Sequence, residues 1–435
     1  MKYAENLSEF ALAFDPDVLT EEYLNEFYYD GTMPVRTNDE NESPINNIYK
    51  SCMLVKNQNT HLLLGHKGCG KSTELNMLKR RFERSGRKVS IIQCLLEADL
   101  MGVAYWDLLI LLGKHLCKIA EEFGYFLPDS LLKNINMFWN DAETVETSSD
   151  GYGVGIKAEA SAKTPKFLKI VELFAGLSSE LKFGYDKRTE IREKVRRSAA
   201  QWIGYLKEVS DHITNHSNGN QPIVIFEDLD KLIPEKAWEI FNNNALSHMP
   251  FPVIYTFPIS LSYDTRFAGL EAAFNNNIHI LPMIKIRTIN CEEHRPGIES
   301  IKELIAKRAD LSLFEPGVLE FLIKKTGGVL RDLFHCISQA ASRAEVRQAE
   351  KVGQDDAQSA TTQLCSSLTR RIELKNYPFL KNISAGRKYK SQIEDREMLL
   401  DMMQGLIVLE YYNDERWHDL HPLIEDFLKE QGELN

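Results

Sequence analysis

The stretch "THLLLGHKGCGKSTELN", residues 60–76, passes from an apolar run through a glycine-rich loop into a segment with helical apolar spacing. Gly65, Gly70, Lys71 and Ser72 fit the pattern G-x-x-x-x-G-K-[ST]. Glycines at such positions let backbone N–H groups turn inward around phosphate oxygens, and the helix that follows aims its positive end at the same point. A lysine there reaches β- and γ-phosphates, and the serine hydroxyl ligates Mg²⁺. Gly65, His66, Lys67, Gly68, Cys69, Gly70, Lys71, Ser72 and Thr73 are therefore read as a nucleotide cradle, with Lys71 catalytic and Ser72 on the metal. Within it, His66 reads as loop filler. Cys69 has two readings: a small residue that fits, or a thiol activated by the helix N-terminus and shielded by bound nucleotide.

Short β-rich runs recur at "RKVSIIQC" (87–94), "QPIVIFED" (221–228), "FPVIYTFPI" (251–259) and "NIHILPMIKI" (277–286), with helical pattern between them. Strand, helix, strand in repetition predicts an α/β fold with a mainly parallel sheet covered on both faces. In "IVIFEDLDKLIP", residues 223–234, a buried strand runs straight into three acids. Ionised carboxylates are expensive to desolvate, so packing does not explain them. Beside a phosphate loop they acquire a purpose: Glu227 for the Mg²⁺, generally through a water, and Asp228 to orient or deprotonate the attacking water. Asp230 is expected to cap the helix that follows, where acids are favoured.

Residues 1–48 form an acidic, turn-rich arm expected to lie on the next domain, the ATPase-type core of residues 49–286. An insertion at about 127–220 breaks the alternation there. Within it, "SSDGYGVGIKAEASAK" and "SSELKFGYD" read either as a β-hairpin or as a loop. The helix "DKRTEIREKVRRSAAQWIGYLKEV" reads as a solvated face laced by i,i+4 pairs. Residues 287–350 read as a helical lid, and "TGGVLRDLFHCI" puts Arg331 at the start of one of its helices. Arg331 is either a lid sensor of the γ-phosphate or a surface arginine paired with Asp332 or Glu303. At the end of the 251–259 run, Thr256 or Ser260 is a candidate sensor. "KVGQDDAQSATTQL" reads as a linker into a unit of residues 351–435, whose helix, strand, tight turn, strand and helix suggest a winged-helix module.

The formal net charge is −11, so the chain carries no overall positive field to hold nucleic acid or an anionic membrane. Seven cysteines without a C-x-x-C pair argue against a disulfide framework and a zinc site, and for a reducing cytoplasm. The N-terminus has no signal-peptide pattern, and runs such as "LLILLG" are far too short to span a membrane. A local basic stretch at 370–390, with Tyr377, Phe379 and Tyr389 interleaved, reads as a nucleic-acid or acidic-protein contact, or as solvated surface. The helix preceding the wing carries four acids and a single Arg396, a poor match to a phosphate-lined groove.

"GHKGCGKST", "FEDLDK", "TGGVLRD" and the C-terminal order of elements together resemble the AAA+-like P-loop NTPases, particularly their origin-recognition-type and STAND branches. They are most similar to a group of bacterial ATPases with the same block order, and the resemblance spans roughly residues 45–430. It implies a core with strand order 5-1-4-3-2, a helical lid, ATP and Mg²⁺ as cofactors, and conformational change or assembly driven by nucleotide. The expected function is an ATP-binding and ATP-hydrolysing switch acting on a protein partner or effector, as some relatives do in bacterial defence against phage. The alternative is an ATP-dependent DNA-binding loader or regulator. An oligomer is expected when nucleotide is bound, and no membrane is involved. Two departures stand out: the family's first strand-end acid is aspartate, here Glu227, and the usual place of an arginine finger reads "AAFNNNIHI", leaving Arg266 as the nearest candidate.

Overall fold

The structure, a computed structural model, describes residues 1–15, 19, 22–37, 43–54, 60–140, 176, 185–242, 244–386, 395–413 and 415–434. Five apolar runs form one parallel sheet: β1 (Thr60–Gly65), β2 (Val89–Gln93), β3 (Ile223–Glu227), β4 (Val253–Pro258) and β5 (Ile278–Ile280). Their order is β2-β3-β4-β1-β5, which read from the other edge is the expected 5-1-4-3-2. Every residue of β1, β3 and β4 is buried, as continuous apolar strands covered on both faces must be.

Alternation along the strands divides the core. Leu62, Leu64, Val224, Phe226 and Tyr255 face one side, against the helices Tyr105–Glu122 and Ala199–His216. Leu63, Ile223, Ile225 and Ile254 face the other, against Leu75, Leu78 and Phe82 of the helix Lys71–Arg84. Register finishes the work: Gly65 lies opposite Pro258, and Glu227 opposite Gln93. The ends of β1 and β3 thus open on one edge of the sheet, beside the strand-order reversal where ligands of such sheets sit.

In the insertion, Asp129–Asn140, Tyr185–Arg197 and Ala199–His216 are helices. Trp202 anchors them, donating to the Leu109 carbonyl at 3.0 Å and stacking on Phe138. "SSDGYGVGIKAEASAK" lies outside the described residues, as does most of "SSELKFGYD".

Beyond Ile286 the helices Arg295–Ala306, Val318–Lys325 and Leu330–Val346 share a core with Leu7, Phe10 and Phe14. Residues 4–14 therefore pack on these helices rather than on the sheet, and Ala4 exchanges backbone hydrogen bonds with Arg308 and Asp310. The supposed linker is a helix, Gln354–Thr369. Its polar composition hid two features: Asp356 accepts from the Gly353 N–H at 3.0 Å, and Ala357 and Ala360 permit close packing. The C-terminal unit continues with the helices Tyr377–Ala385 and Arg396–Gln404, an antiparallel hairpin of β6 (Val408–Asn413) and β7 (Glu415–Leu420), and the helix Pro422–Glu430. No described helix is long and apolar enough to cross a membrane.

The turn before Leu330 depends on Gly328, whose φ is +79° and whose added Cβ would stand 2.2 Å from the Ile284 carbonyl oxygen. Gly328→Ala should cost about 3 kcal/mol, read as a fall in apparent Tm. Gly317→Ala, at a similar φ of +83° with nothing within 4 Å, should cost only about 1 kcal/mol.

Candidate functional site

The strand β1 delivers the chain into a tight loop whose glycines are required by geometry. Gly68 and Gly70 have φ of +79° and +103°, and a Cβ on Gly68 would lie 2.8 Å from the Arg331 Cβ. Lys71 opens the following helix and is buried, at 6% exposure. Its ammonium donates to the carbonyls of Gly65 and His66 at 2.8 and 2.9 Å and pairs with Asp230 Oδ2 at 2.8 Å. Burial would lower the Lys71 pKa, but Asp230 raises it above the ordinary lysine value. Burial would raise that of Asp230, and Lys71 holds it low instead.

The three acids of the 223–234 stretch end up in three environments. Glu227 is buried near the Ser72 side chain; burial, then the neighbouring Asp228 and Asp230, push its pKa up to about 8. Its Oε1 has no hydrogen-bond partner. Asp228 adopts φ +70°, a left-handed conformation that aspartate enters at a cost. Its carboxylate takes Lys231 at 2.6 Å and the Leu95 N–H at 3.3 Å. Asp230 caps no helix, contrary to expectation. The following helix, Pro234–Phe241, has Ile233 at its N-cap, while the tight turn after β3 swings Asp230 towards Lys71.

An open cleft borders Lys71 and Asp230, lined also by Ser72, Thr73, Lys231 and Arg331 among others, while Glu227 and Asp228 are not part of its lining. The backbone N–H of Arg331 donates to the Gly68 carbonyl at 3.3 Å, so the helix Leu330–Val346 starts against the phosphate loop. Neither acid considered as its surface partner pairs with Arg331 among the described residues. Asp332 faces His421 at 3.8 Å, and Glu303 accepts from Tyr29.

Other predicted residues sit elsewhere. Cys69 is fully buried behind the loop, which fits a small packing residue and not an exposed thiol. His66 is no filler: its Nε2 accepts the Glu410 N–H of β6 at 2.8 Å, and burial lowers its pKa to about 3. Lys67 is half-buried, and burial lowers its pKa. Thr256 accepts from the Leu229 N–H and donates to the Phe226 carbonyl, bracing the acid turn. Ser260 donates to Gln404 at 3.4 Å. Arg266 is held by Asp264 at 2.5 Å and lies over the Trp238 ring. In the basic stretch, Arg371 donates to the Gly405 carbonyl, while Lys375 and Lys381 pair with Glu373 and Glu433. Arg387, Lys388, Tyr389 and Lys390 lie outside the described residues.

Sequence reasoning missed Arg36. It comes from the helix Thr32–Arg36 and is 1% exposed, donating to the Pro282 carbonyl at 2.5 Å and the Cys69 carbonyl at 2.7 Å. It thus ties the N-terminal arm to the underside of the loop. Its only signal was an arginine ending "MPVR" in a polar segment. Tyr28 and Glu74, hydrogen-bonded at 3.2 Å, were missed as well and line the same cleft.

No family model matches this sequence, and no curated protein does. Among solved structures, the chain is similar to the ORC2 protein of Aeropyrum pernix, solved as ADPNP–ADP complexes, at 12% identity over 92% of this chain and 98% of that one, TM-score 0.40. It is similar to Cdc6p of Pyrobaculum aerophilum at 11% identity, covering 95% and 99%, TM-score 0.41. It also resembles the Walker-type ATPase paby2304 of Pyrococcus abyssi at 14% identity, covering 90% and 95%, TM-score 0.40. Likeness at this level leaves function to the residues themselves.

Two outcomes follow from the geometry. Arg36→Ala strands two buried carbonyls and should cost about 2–3 kcal/mol in denaturant unfolding. The second concerns pH. Because Glu227 has a folded pKa near 8 against an ordinary 4.5, it adds stability that is complete below the ordinary value and lost as pH rises through 8. Between pH 5.5 and 8.5 the metal-free protein should lose about 5 °C in apparent Tm relative to Glu227→Gln.

Proposed function

We propose that this chain is an ATP-binding and ATP-hydrolysing cytoplasmic switch of the AAA+/STAND kind. In it a helical lid (287–350) and a winged-helix-like unit (351–435) transmit nucleotide state to a protein partner or effector. The reading is carried by one observation: Lys71, Ser72, Asp230 and Arg331 converge on a single cleft at a helix N-terminus, with Glu227 at Ser72. Such a site suits a polyphosphate, which combines negative charge with many acceptor oxygens.

Mg²⁺ fits the donors present. Among the described residues no group of three or more His, Cys, Asp or Glu could cage a metal. A phosphate-bound Mg²⁺ keeps waters and needs few protein ligands. Ser72 and Glu227 would hold it, since the two side chains are neighbours and the buried Glu227 has one oxygen without a partner. There the ion would neutralise charge on the β- and γ-phosphate oxygens. The chain supplies the rest. Loop N–H groups from His66 to Gly70 bind phosphate oxygens, and Lys71 answers the β- and γ-charge. Asp228, held by Lys231 and the Leu95 N–H, orients a water and takes its proton. Arg331 reaches from the lid to the γ-phosphate.

Hydrogen bonds suit this site to signalling. His66 of the loop accepts from β6, Tyr411 of β6 donates to Gly327 in the lid turn, and Gln404 meets both Ser260 and the Leu232 carbonyl. A change of the loop or lid on nucleotide binding is thereby felt by the hairpin and the helix before it. We further propose that nucleotide-bound copies associate and that the effector is a separate protein, as in phage-defence relatives of this kind. Of the described basic residues of that stretch, 371, 375 and 381 have partners inside the chain and Arg370 is exposed, so the DNA-loader alternative rests on Arg370 and on residues outside those described.

Lys71→Ala should abolish ATP binding by calorimetry. Asp228→Ala should keep binding while lowering phosphate release by roughly a hundredfold or more. Undiminished release from Asp228→Ala would remove that residue from catalysis, and tight ATP binding by Lys71→Ala would overturn the reading as a whole.

A further inference from the structure

A lysine ammonium has three N–H donors. In Lys71 all three are taken, by the Gly65 carbonyl, the His66 carbonyl and the Asp230 carboxylate. A phosphate can therefore engage Lys71 only by displacing one of them. The two carbonyls belong to the loop backbone and are neutral. Asp230 is the charged competitor, and it reaches Lys71 from a different strand end, in the short turn Leu229–Lys231 entered through the left-handed Asp228. Lys67 and Lys231 both lie near enough to act on Asp230 electrostatically, so a released carboxylate would stay answered by positive charge.

Resting on the nucleotide reading above, we infer that Asp230 is a positioning residue that holds Lys71 against the phosphate loop in the empty site, and that the β- and γ-phosphates of an incoming nucleoside triphosphate must displace it. Part of the binding energy is spent on breaking a buried ion pair, which makes apparent affinity weaker than the site's contacts alone would give. Asp230 thus sets the threshold at which the switch loads. It does so without touching the metal, which Ser72 and Glu227 would hold.

The test is calorimetric titration of ATP with Mg²⁺ into the full chain. Asp230→Asn keeps the shape and removes the charge, and should tighten ATP binding on the order of tenfold. Asp230→Ser should shift affinity in the same direction, whereas Asp230→Glu, which restores the charge, should not. Thermal melts separate this from a folding defect: without nucleotide Asp230→Asn melts lower than wild type, because Lys71 loses its counter-charge, and ATP raises its Tm by more than it raises that of wild type. Unchanged or weaker binding by neutral variants that melt cooperatively would overturn the inference. Failure of both neutral variants to fold would overturn it as well, since a carboxylate that the fold cannot spare is not one that a nucleotide can displace. Absence of ATP binding by wild type would instead defeat the nucleotide reading itself.

Discussion

Parallel pairing of β1 with β4 and β5, and of β3 with β2 and β4, is the constraint on which the other arrangements rest. In a parallel sheet every strand ends on the same edge, so the groups that follow β1 and β3 are forced together although some 160 residues separate them. Loop N–H groups, a lysine and a helix N-terminus come from one strand end; three carboxylates come from the other. The chemistry is then largely one of charge. Lys71 in the loop demands an anion, and Asp230 supplies one within the chain. Glu227, buried between two other acids, has no such answer and is held near neutral. The two strand ends thus set an answered cation beside an unanswered carboxyl, the observation on which the proposed nucleotide and metal roles rest.

The second feature is how tightly the peripheral units close on that site. The helix Leu330–Val346, the N-terminal segment and the C-terminal hairpin each reach the glycine-rich loop through a different residue: Arg331 through its backbone to Gly68, Arg36 to the Cys69 carbonyl, and Glu410 to His66. Behind the hairpin, Arg287 pairs with Asp419 and Glu425 at 2.5 Å, joining the segment after β5 to β7 and the last helix. Buried pairs of this kind contribute little net stability but fix geometry, because breaking one leaves a charge stranded. The glycine-rich loop is therefore a junction of three units, whatever it binds.

Much of this was legible in the linear chain, and the reasons are local. Buried parallel strands must be continuously apolar, so "THLLLG", "IVIF" and "VIYTF" announced themselves. A phosphate loop needs glycines at fixed offsets, so residues 65–72 did too. What escaped was whatever depends on partners distant in sequence. Arg36 looks like any surface arginine until a loop 33 residues later is laid over it. His66 looks like filler until a strand 344 residues away presents an N–H to it. "KVGQDDAQSATTQL" looks like a linker because small polar residues form a helix only where a neighbour buries their few alanines.

By itself, then, the sequence determined the parallel sheet and the glycine-rich loop that follows its first strand, because backbone conformation and strand burial impose composition and spacing that can be read position by position; the strand order came with the family resemblance. The tertiary structure decided which acid meets Lys71, that Asp228 turns to Lys231, and that three separate units meet on one loop. Those outcomes follow from the swing of a single left-handed residue after β3 and from long-range packing. Neither leaves a periodic mark on the chain, since side-chain direction at a turn is settled by what surrounds it.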